Sequence, residues 1–242
     1  MTASSARAFQ PPRHASKQDI RRELRERRAA RAADGTAADA VADALARTYL
    51  AAPRTRLSVH NPPQGPSPGR LSVHNPPREE RGGGVALYLS RAGEPGTEAL
   101  RAALLGTGVR VLLPWLQEDR DLDWVSDPGP AELPGAPMRP PGDRLGLNAI
   151  HGVDVLLVPA LAVDTAGRRL GQGGGSYDRV LARLAGTVGQ GRPLVVACVH
   201  EDELLDARRH PLPEEPHDRR VDAVLTPTRY VDLAGLRASS PR

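Results

Sequence analysis

Residues 153–184 read VDVLLVPALAVDTAGRRLGQGGGSYDRVLARL. This stretch runs from a strand through a glycine loop into a helix. VDVLLVP (153–159) is a short, nearly continuous apolar run, as expected of a strand buried on both faces of a parallel sheet. SYDRVLARL (176–184) then reads as a helix. Between them lie Gly171, Gly173, Gly174 and Gly175. Glycine in ordered structure costs backbone entropy, so a cluster needs a reason. Amides in such a loop can approach phosphate oxygens closely, and the following helix N-terminus adds positive potential. The standard fingerprints are not met. A dinucleotide fold wants a glycine where Ser176 stands, and a P-loop wants a lysine that is absent nearby. By itself the run fits an ordinary tight loop as well as a phosphate cradle. Its flanks favour the cradle: Arg168, Arg169 and Arg179 surround it, and Asp178 sits in the first helical turn. A carboxylate beside phosphate oxygens is the usual setting for Mg²⁺, although the helix dipole would satisfy the same group.

Working outward, the neighbouring segments repeat the α/β pattern. VALYLS (85–90), VRVLLP (109–114), LVVACV (194–199) and VDAVLT (221–226) read as buried strands. TEALRAALLGTG (97–108) reads as a helix capped by Thr97 and ended at Gly108. DELLDA (202–207) reads as a short helix, and the Pro-, Gly- and Asp-rich stretch 117–149 as mostly loop. Strand, helix and strand with short joins imply a parallel crossover. The fold class is α/β: a single domain with an open, mostly parallel sheet, helices on both faces and an N-terminal helical arm. Ligands in such sheets sit beyond the C-terminal strand ends.

The arm occupies residues 16–52. Ser16 and Asp19 form a capping-box pattern ahead of a charged helix to about Ala33, with Ile20 and Leu24 as a narrow apolar stripe. A second helix, about 37–50, carries Val41, Leu45 and Tyr49 at four-residue spacing. Residues 1–15 are expected to be disordered. Residues 53–84 form a Pro/Gly-rich insert in which RLSVHNPP occurs at 56–63 and again at 70–77. His60 and His74 within it are read as solvated. The core spans 85–232, with a tail at 233–242.

Composition narrows the function. The chain has 242 residues and a formal net charge of +4, which suits an anionic ligand. Its 2 Trp, 4 Tyr and 1 Phe are too few for a base-stacking surface, so an RNA-binding role, suggested by the arginine-rich first helix, is disfavoured. The single cysteine, Cys198, excludes an internal disulfide and is expected to pack in the core. No signal-like or membrane-spanning run is seen, so a soluble, cytoplasmic protein is expected. Among 33 basic residues, Lys17 is the only lysine. Lys17 and Arg21 share a helix face at i,i+4 near its N-terminus, where positive charges repel each other and oppose the dipole. A nearby carboxylate is the common remedy, and a docked anion is the other.

These residues together resemble the 5-formyltetrahydrofolate cyclo-ligase (methenyltetrahydrofolate synthetase) family. VPALAVDTAGRRLGQGGGSYDR (158–179) is similar to its Val-Pro, Asp-x-x-Gly and Arg-Leu-Gly-x-Gly-x-Gly-x-Tyr-Asp signature. KQDIR (17–21) resembles its Lys-x-x-x-Arg, LSRAGEPGT (89–97) its substrate segment, and LPEEPHDRRVDAVLTP (212–227) its C-terminal Pro, Asp and last strand. The resemblance implies ATP- and Mg²⁺-dependent closure of 5-formyltetrahydrofolate to 5,10-methenyltetrahydrofolate by way of a phosphorylated formyl oxygen, releasing ADP and phosphate. Such chemistry rests on positioning and charge neutralisation, which agrees with the lack of a convincing nucleophile–base pair. By position, Lys17 and Arg169 would be catalytic. Lys17, Arg21, Arg169, Leu170, Gly171, Gln172, Gly173, Gly174, Gly175, Ser176 and Tyr177 would bind ATP. Leu89, Glu94, Gln172, Gly173, Gly174, Gly175 and Ser176 would contact the folate, Glu94 accepting hydrogen bonds from pterin N–H groups. Asp178 and Asp218 would hold Mg²⁺, and His217 would be structural. No nucleic-acid or membrane partner is implied, and a monomer is expected. Ser176 replaces a common aromatic and Gln172 a common Arg or Tyr, so the alternative is a non-catalytic nucleotide- or folate-binding relative. The insert is expected to be tolerated, since lengthening a surface loop costs roughly 0.6 kcal/mol per doubling.

Overall fold

The computed structural model describes residues 9–12, 15–34, 38–52, 83–133, 135–186 and 192–233. The apolar runs pair side by side as parallel strands: β1 (Gly84–Ala86), β2 (Arg110–Leu116), β4 (Val155–Pro159), β7 (Leu194–Cys198) and β9 (Ala223–Leu225). With β3 (Leu122–Ser126) and β10 (Tyr230–Asp232) antiparallel at the two edges, they make a 7-stranded sheet in the order β10-β9-β7-β4-β1-β2-β3. Successive side chains of a strand point to opposite faces. Leu156 and Val158 of β4 therefore pack with Val180, Leu181 and Leu184 of α4 (Ser176–Ala185). Val155 and Leu157 pack on the other side, against Leu45 and Tyr49 of α2 (Ala38–Ala51) and Leu100 and Leu104 of α3 (Glu98–Gly106). The sheet is covered on both faces, as the apolar runs require.

Helix α1 (Lys17–Asp34) docks elsewhere. Ser16 caps it, its Oγ accepting the Asp19 amide at 3.2 Å and donating to Asp19 Oδ2 at 2.6 Å. Its narrow stripe, Ile20 and Leu24, is buried against a second, 3-stranded sheet in the order β6-β5-β8. That sheet comprises β5 (Ala162–Asp164), β6 (Arg169–Leu170) and β8 (Leu204–Leu205). Leu161, Leu170, Leu205 and Leu212 complete the cluster. Burying two leucine-sized side chains here gives roughly 3–6 kcal/mol, enough to hold an otherwise charged helix in place.

Three expectations are corrected and one is refined. DELLDA is not a helix: after a single 3-10 turn, Glu201–Glu203, the chain extends as β8 and pairs parallel with β5. Six residues are too few for a self-sustaining helix, and the strand pairing takes precedence. The stretch 117–149 is mostly loop, as expected, but it also contains β3, whose Trp124 is fully buried; the Asp, Gly and Pro around this short run hid it. Thr97 does not cap α3 with its side chain. Its hydroxyl instead donates to the Tyr88 carbonyl at 2.7 Å. Phe9, in the stretch expected to be disordered, is buried with Ile20 and Leu24, and the Arg27 guanidinium lies 4.9 Å over its ring. The duplicated RLSVHNPP, His60, His74 and residues 234–242 lie outside the described residues.

Candidate active site

The C-terminal end of β4 opens into the site. Asp164, fully buried, closes the turn that follows β5. It accepts the Ala166 amide at 3.0 Å, the Arg168 amide at 3.1 Å and the Leu212 amide at 3.0 Å, while Gly167 takes φ +85°. The tightly bonded hairpin delivers β6 directly into the glycine loop. Gly173 (φ +94°) and Gly175 (φ +77°) adopt left-handed backbone that other residues resist, and Gly175 is the residue before α4. The loop therefore ends on the free amides of a helix N-terminus, with Asp178 in the first turn.

Beside the loop lies a cavity of about 540 Å³. One wall is Arg169, Gly171 to Gly175, Ser176, Tyr177 and Asp178. The other is Tyr88, Leu89, Arg91 and Glu94, with Arg25 and Arg28 of α1 between them. The segment after β1 is fixed by its own polar groups. Tyr88 donates to the Pro95 carbonyl at 2.7 Å, Ser90 Oγ accepts the Thr97 amide at 3.1 Å, and Glu94 Oε2 accepts the Arg91 amide at 3.1 Å. Tyr177 packs between the two hydrophobic layers. Burial, reinforced by the charge of Glu94, raises its phenol well above the ordinary tyrosine range, so it is a neutral group here. Cys198 is fully buried on β7, and burial pushes its thiol up as well, against a hydrogen bond with Tyr88; it packs, as expected.

Cations and carboxylates of the site neutralise one another. Lys17 Nζ donates to Asp218 Oδ2 at 2.6 Å and lies 3.3 Å from Glu215 Oε1. Burial works against the Asp218 charge, but the Lys17 ammonium and the Glu215 amide more than offset it and hold the carboxyl below its ordinary range. Arg169 bonds Asp178 through Nη2 and the Pro159 carbonyl through Nη1, the latter at 3.2 Å. Arg21 Nε donates to the Gly171 carbonyl at 3.0 Å. Arg25 donates to Gln172 Oε1 at 3.1 Å and to the Gln172 carbonyl at 2.5 Å. Helix α1 is thus fastened along the glycine loop by consecutive turns.

The anticipated residues fall into two groups. Leu89, Glu94, Arg169, the glycine loop, Ser176, Tyr177 and Asp178 share the cavity wall. Lys17, Arg21, Leu170 and Asp218 do not line it. Arg21 reaches the loop from behind, Lys17 and Asp218 pair one helical turn further on, and the Leu170 side chain faces the hydrophobic cluster under α1. Asp218 forms, with Glu215 and His217, a group whose ligand atoms lie within 4.8 Å of one another. Its oxygen-rich donors suit a hard cation such as Mg²⁺, as does the half-buried Asp178 carboxylate on the cavity wall. Sequence reasoning missed Arg25, Arg28 and Arg91. The first two continue the Lys17, Arg21 spacing along α1, which is the sequence signal that points to them.

The profile of the 5-formyltetrahydrofolate cyclo-ligase family matches residues 13–227. A 5-formyltetrahydrofolate cyclo-ligase of Mycolicibacterium smegmatis is 43% identical over 154 residues, covering 61% of this chain and 75% of that protein. The Escherichia coli K12 protein of the same name is 33% identical over 150 residues, 60% of this chain and 78% of its own. The solution structure of Aquifex aeolicus 5,10-methenyltetrahydrofolate synthetase superposes with a TM-score of 0.62 over 93% of this chain and 94% of that one, at 21% identity, so it speaks to the fold. With the family profile spanning both walls of the cavity and the helix fastened to its loop, the chain belongs to the 5-formyltetrahydrofolate cyclo-ligase family.

Proposed function

We propose that this chain closes 5-formyltetrahydrofolate to 5,10-methenyltetrahydrofolate at the expense of ATP, releasing ADP and phosphate. One observation carries the reading beyond family membership. A single cavity has a glycine loop ending on a helix N-terminus along one wall and the half-buried carboxylate of Glu94 on the other, so two ligands can lie side by side. The formyl oxygen is a poor leaving group. It would attack the γ-phosphorus as ADP departs; N10 would then attack the formyl carbon and give its proton to water, and the C–O bond would break to free phosphate. The chain supplies position and charge for these steps. Loop amides and the α4 N-terminus face the phosphates and Arg169 neutralises them from the cavity wall, while Lys17 and Arg21, held outside the cavity by Asp218 and the Gly171 carbonyl, would turn in to add their charge. Glu94 accepts the pterin N–H groups and sets the folate's depth. Asp178 and Asp218 would hold Mg²⁺, which when bound adds further neutralisation of the phosphates. Lys17 and Arg169 each pair with one of these carboxylates. Nucleotide and cation together would exchange those partners, so neither charge need be left bare. A cytoplasmic monomer acting without nucleic-acid or membrane partners completes the reading.

The test is the purified chain with 5-formyltetrahydrofolate, followed by absorbance of the methenyl product. Turnover is expected only with both ATP and Mg²⁺, with one ADP released per product. ATP or folate binding without turnover would replace this reading by that of a non-catalytic relative.

A further inference from the structure

Arg28 is a basic residue of α1 that is almost wholly buried, with its side chain 5% exposed, and it has more to hold than one carboxylate. Its Nε donates to Glu203 Oε1 at 2.9 Å, and its Nη2 to Glu203 Oε2 at 2.7 Å and to the Ala160 carbonyl at 2.5 Å. The third nitrogen, Nη1, is buried and makes no hydrogen bond among the described residues. It lies 3.9 Å from Glu94 Oε1, on the far side of the guanidinium from Glu203. Leaving a buried donor unsatisfied is costly, so its retention calls for a reason.

The surrounding contacts converge on the same turn. Gly93 takes φ +81° and sits so close to α1 that a Cβ there would lie 2.7 Å from the Arg28 carbonyl oxygen. The Gly93 carbonyl is 3.0 Å from His200 Nε2, and a carbonyl can only accept, so Nε2 carries the proton. The His200 amide donates to Glu203 Oε2 at 2.9 Å, closing the circuit back to Arg28. Burial holds the imidazole below its ordinary pKa, which keeps it neutral in this role. Arg31 also reaches Glu203, at 3.3 Å, so neutralising Glu203 does not by itself account for the placement of Arg28.

We propose that Arg28, backed by Glu203 and His200, is a positioning residue for the pterin-facing carboxylate of Glu94: it holds Glu94 and the turn 91–94 in the orientation that receives the pterin. The proposal rests on the cyclo-ligase reading of the cavity. A guanidinium suits the task because its planar fork serves two carboxylates and a carbonyl at once, which an ammonium does not. The carboxylate facing the pterin is thereby paired from behind, and both its oxygens remain acceptors.

The experiment compares wild type, Arg28→Lys, Glu94→Gln and the combination, by calorimetric binding of 5-formyltetrahydrofolate and by steady-state kinetics. Arg28→Lys is expected to weaken folate binding about tenfold and raise the folate KM in step, with the ATP KM changed less than twofold. In the Glu94→Gln background the same substitution is expected to change folate binding less than twofold, because nothing remains for it to orient. Equal fold-changes in the two backgrounds, or an ATP KM that rises with the folate KM, overturn the proposal. Should Arg28→Lys fail to fold, Arg28→Met with Glu203→Leu removes both buried charges, a replacement that cores often tolerate. The same pattern of coupling to Glu94 is expected, and its absence counts against the proposal equally. A wild-type chain that neither binds nor converts 5-formyltetrahydrofolate overturns the cyclo-ligase reading itself, whereas normal wild-type turnover with uncoupled variants overturns only the role of Arg28.

Discussion

Gly93→Ala tests how the folate wall is built. Gly93 has φ +81°, and a left-handed L-residue costs about 1–2 kcal/mol. A Cβ would also stand 2.7 Å from the Arg28 carbonyl oxygen, a backbone atom of a docked helix with little freedom to retreat. The cheaper response is for the turn 91–94 to lift from α1, taking Glu94 with it. If about 2 kcal/mol is relieved by lifting and must be restored when folate binds, folate affinity falls about thirtyfold. Gly108→Ala is the control. Its φ is +74°, but nothing lies within 4 Å of the added carbon and it ends α3 away from the cavity. That variant should lose only the dihedral term, seen as a Tm lower by about 2–4 °C per kcal/mol, with kinetics unchanged. Folate titration by calorimetry, KM values for both substrates and thermal melts separate the two. A Gly93→Ala protein that binds folate within twofold of wild type would refute the picture of a turn clamped against α1.

Lys17→Ala should lower kcat/KM for ATP by about 10²–10³, as loss of a cation recruited to phosphate does, and should lower the Tm as well, because the Lys17 and Asp218 side chains are only 11% and 18% exposed and the carboxylate is left without its ammonium. Stopped-flow and steady-state assays check the first part and calorimetry the second; an unaltered rate removes Lys17 from the reaction. Acid should destabilise the protein in two stages. Burial lowers the His200 pKa below its ordinary 6.5, so the unfolded chain binds that proton first, and stability falls as pH drops through and below that value. Burial alone would raise the Glu203 carboxyl, but the Arg28 hydrogen bonds and charge outweigh this and hold it below 4.5, so its contribution is lost at lower pH still. Melting temperatures across the acid range should fall in that order, and His200→Gln should erase only the first stage. A Tm that rises on acidification from neutrality would contradict both signs.

The strands that make the sheet were legible because their burial is dictated by the chain itself: VDVLLVP and LVVACV have no polar face to offer. The glycine loop was legible for the same kind of reason, since four glycines around one glutamine have little else to do. What escaped was set by partners far along the chain. Leu204 and Leu205 are extended because β5 is beside them, not because of their own neighbours. Arg28 looks like any other arginine on a charged helix until Glu203, 175 positions later, takes it out of water. Thr97 precedes a helix as a capping residue should, yet the Tyr88 carbonyl competes for its hydroxyl and wins.

The pair between Lys17 and Asp218 joins residues 201 positions apart. On a ribosome, the helix bearing Lys17 and Arg21 emerges long before the segment bearing its carboxylate. A half-synthesised chain therefore displays the cations without their counter-charge, and offers nucleotide only a fragment of its pocket. Ligand that binds solely the finished arrangement adds its free energy solely to that state. For this protein, capture of a triphosphate would act as a late lock on a complete polypeptide, and a molecule clipped before residue 218 would lose that protection along with its chemistry.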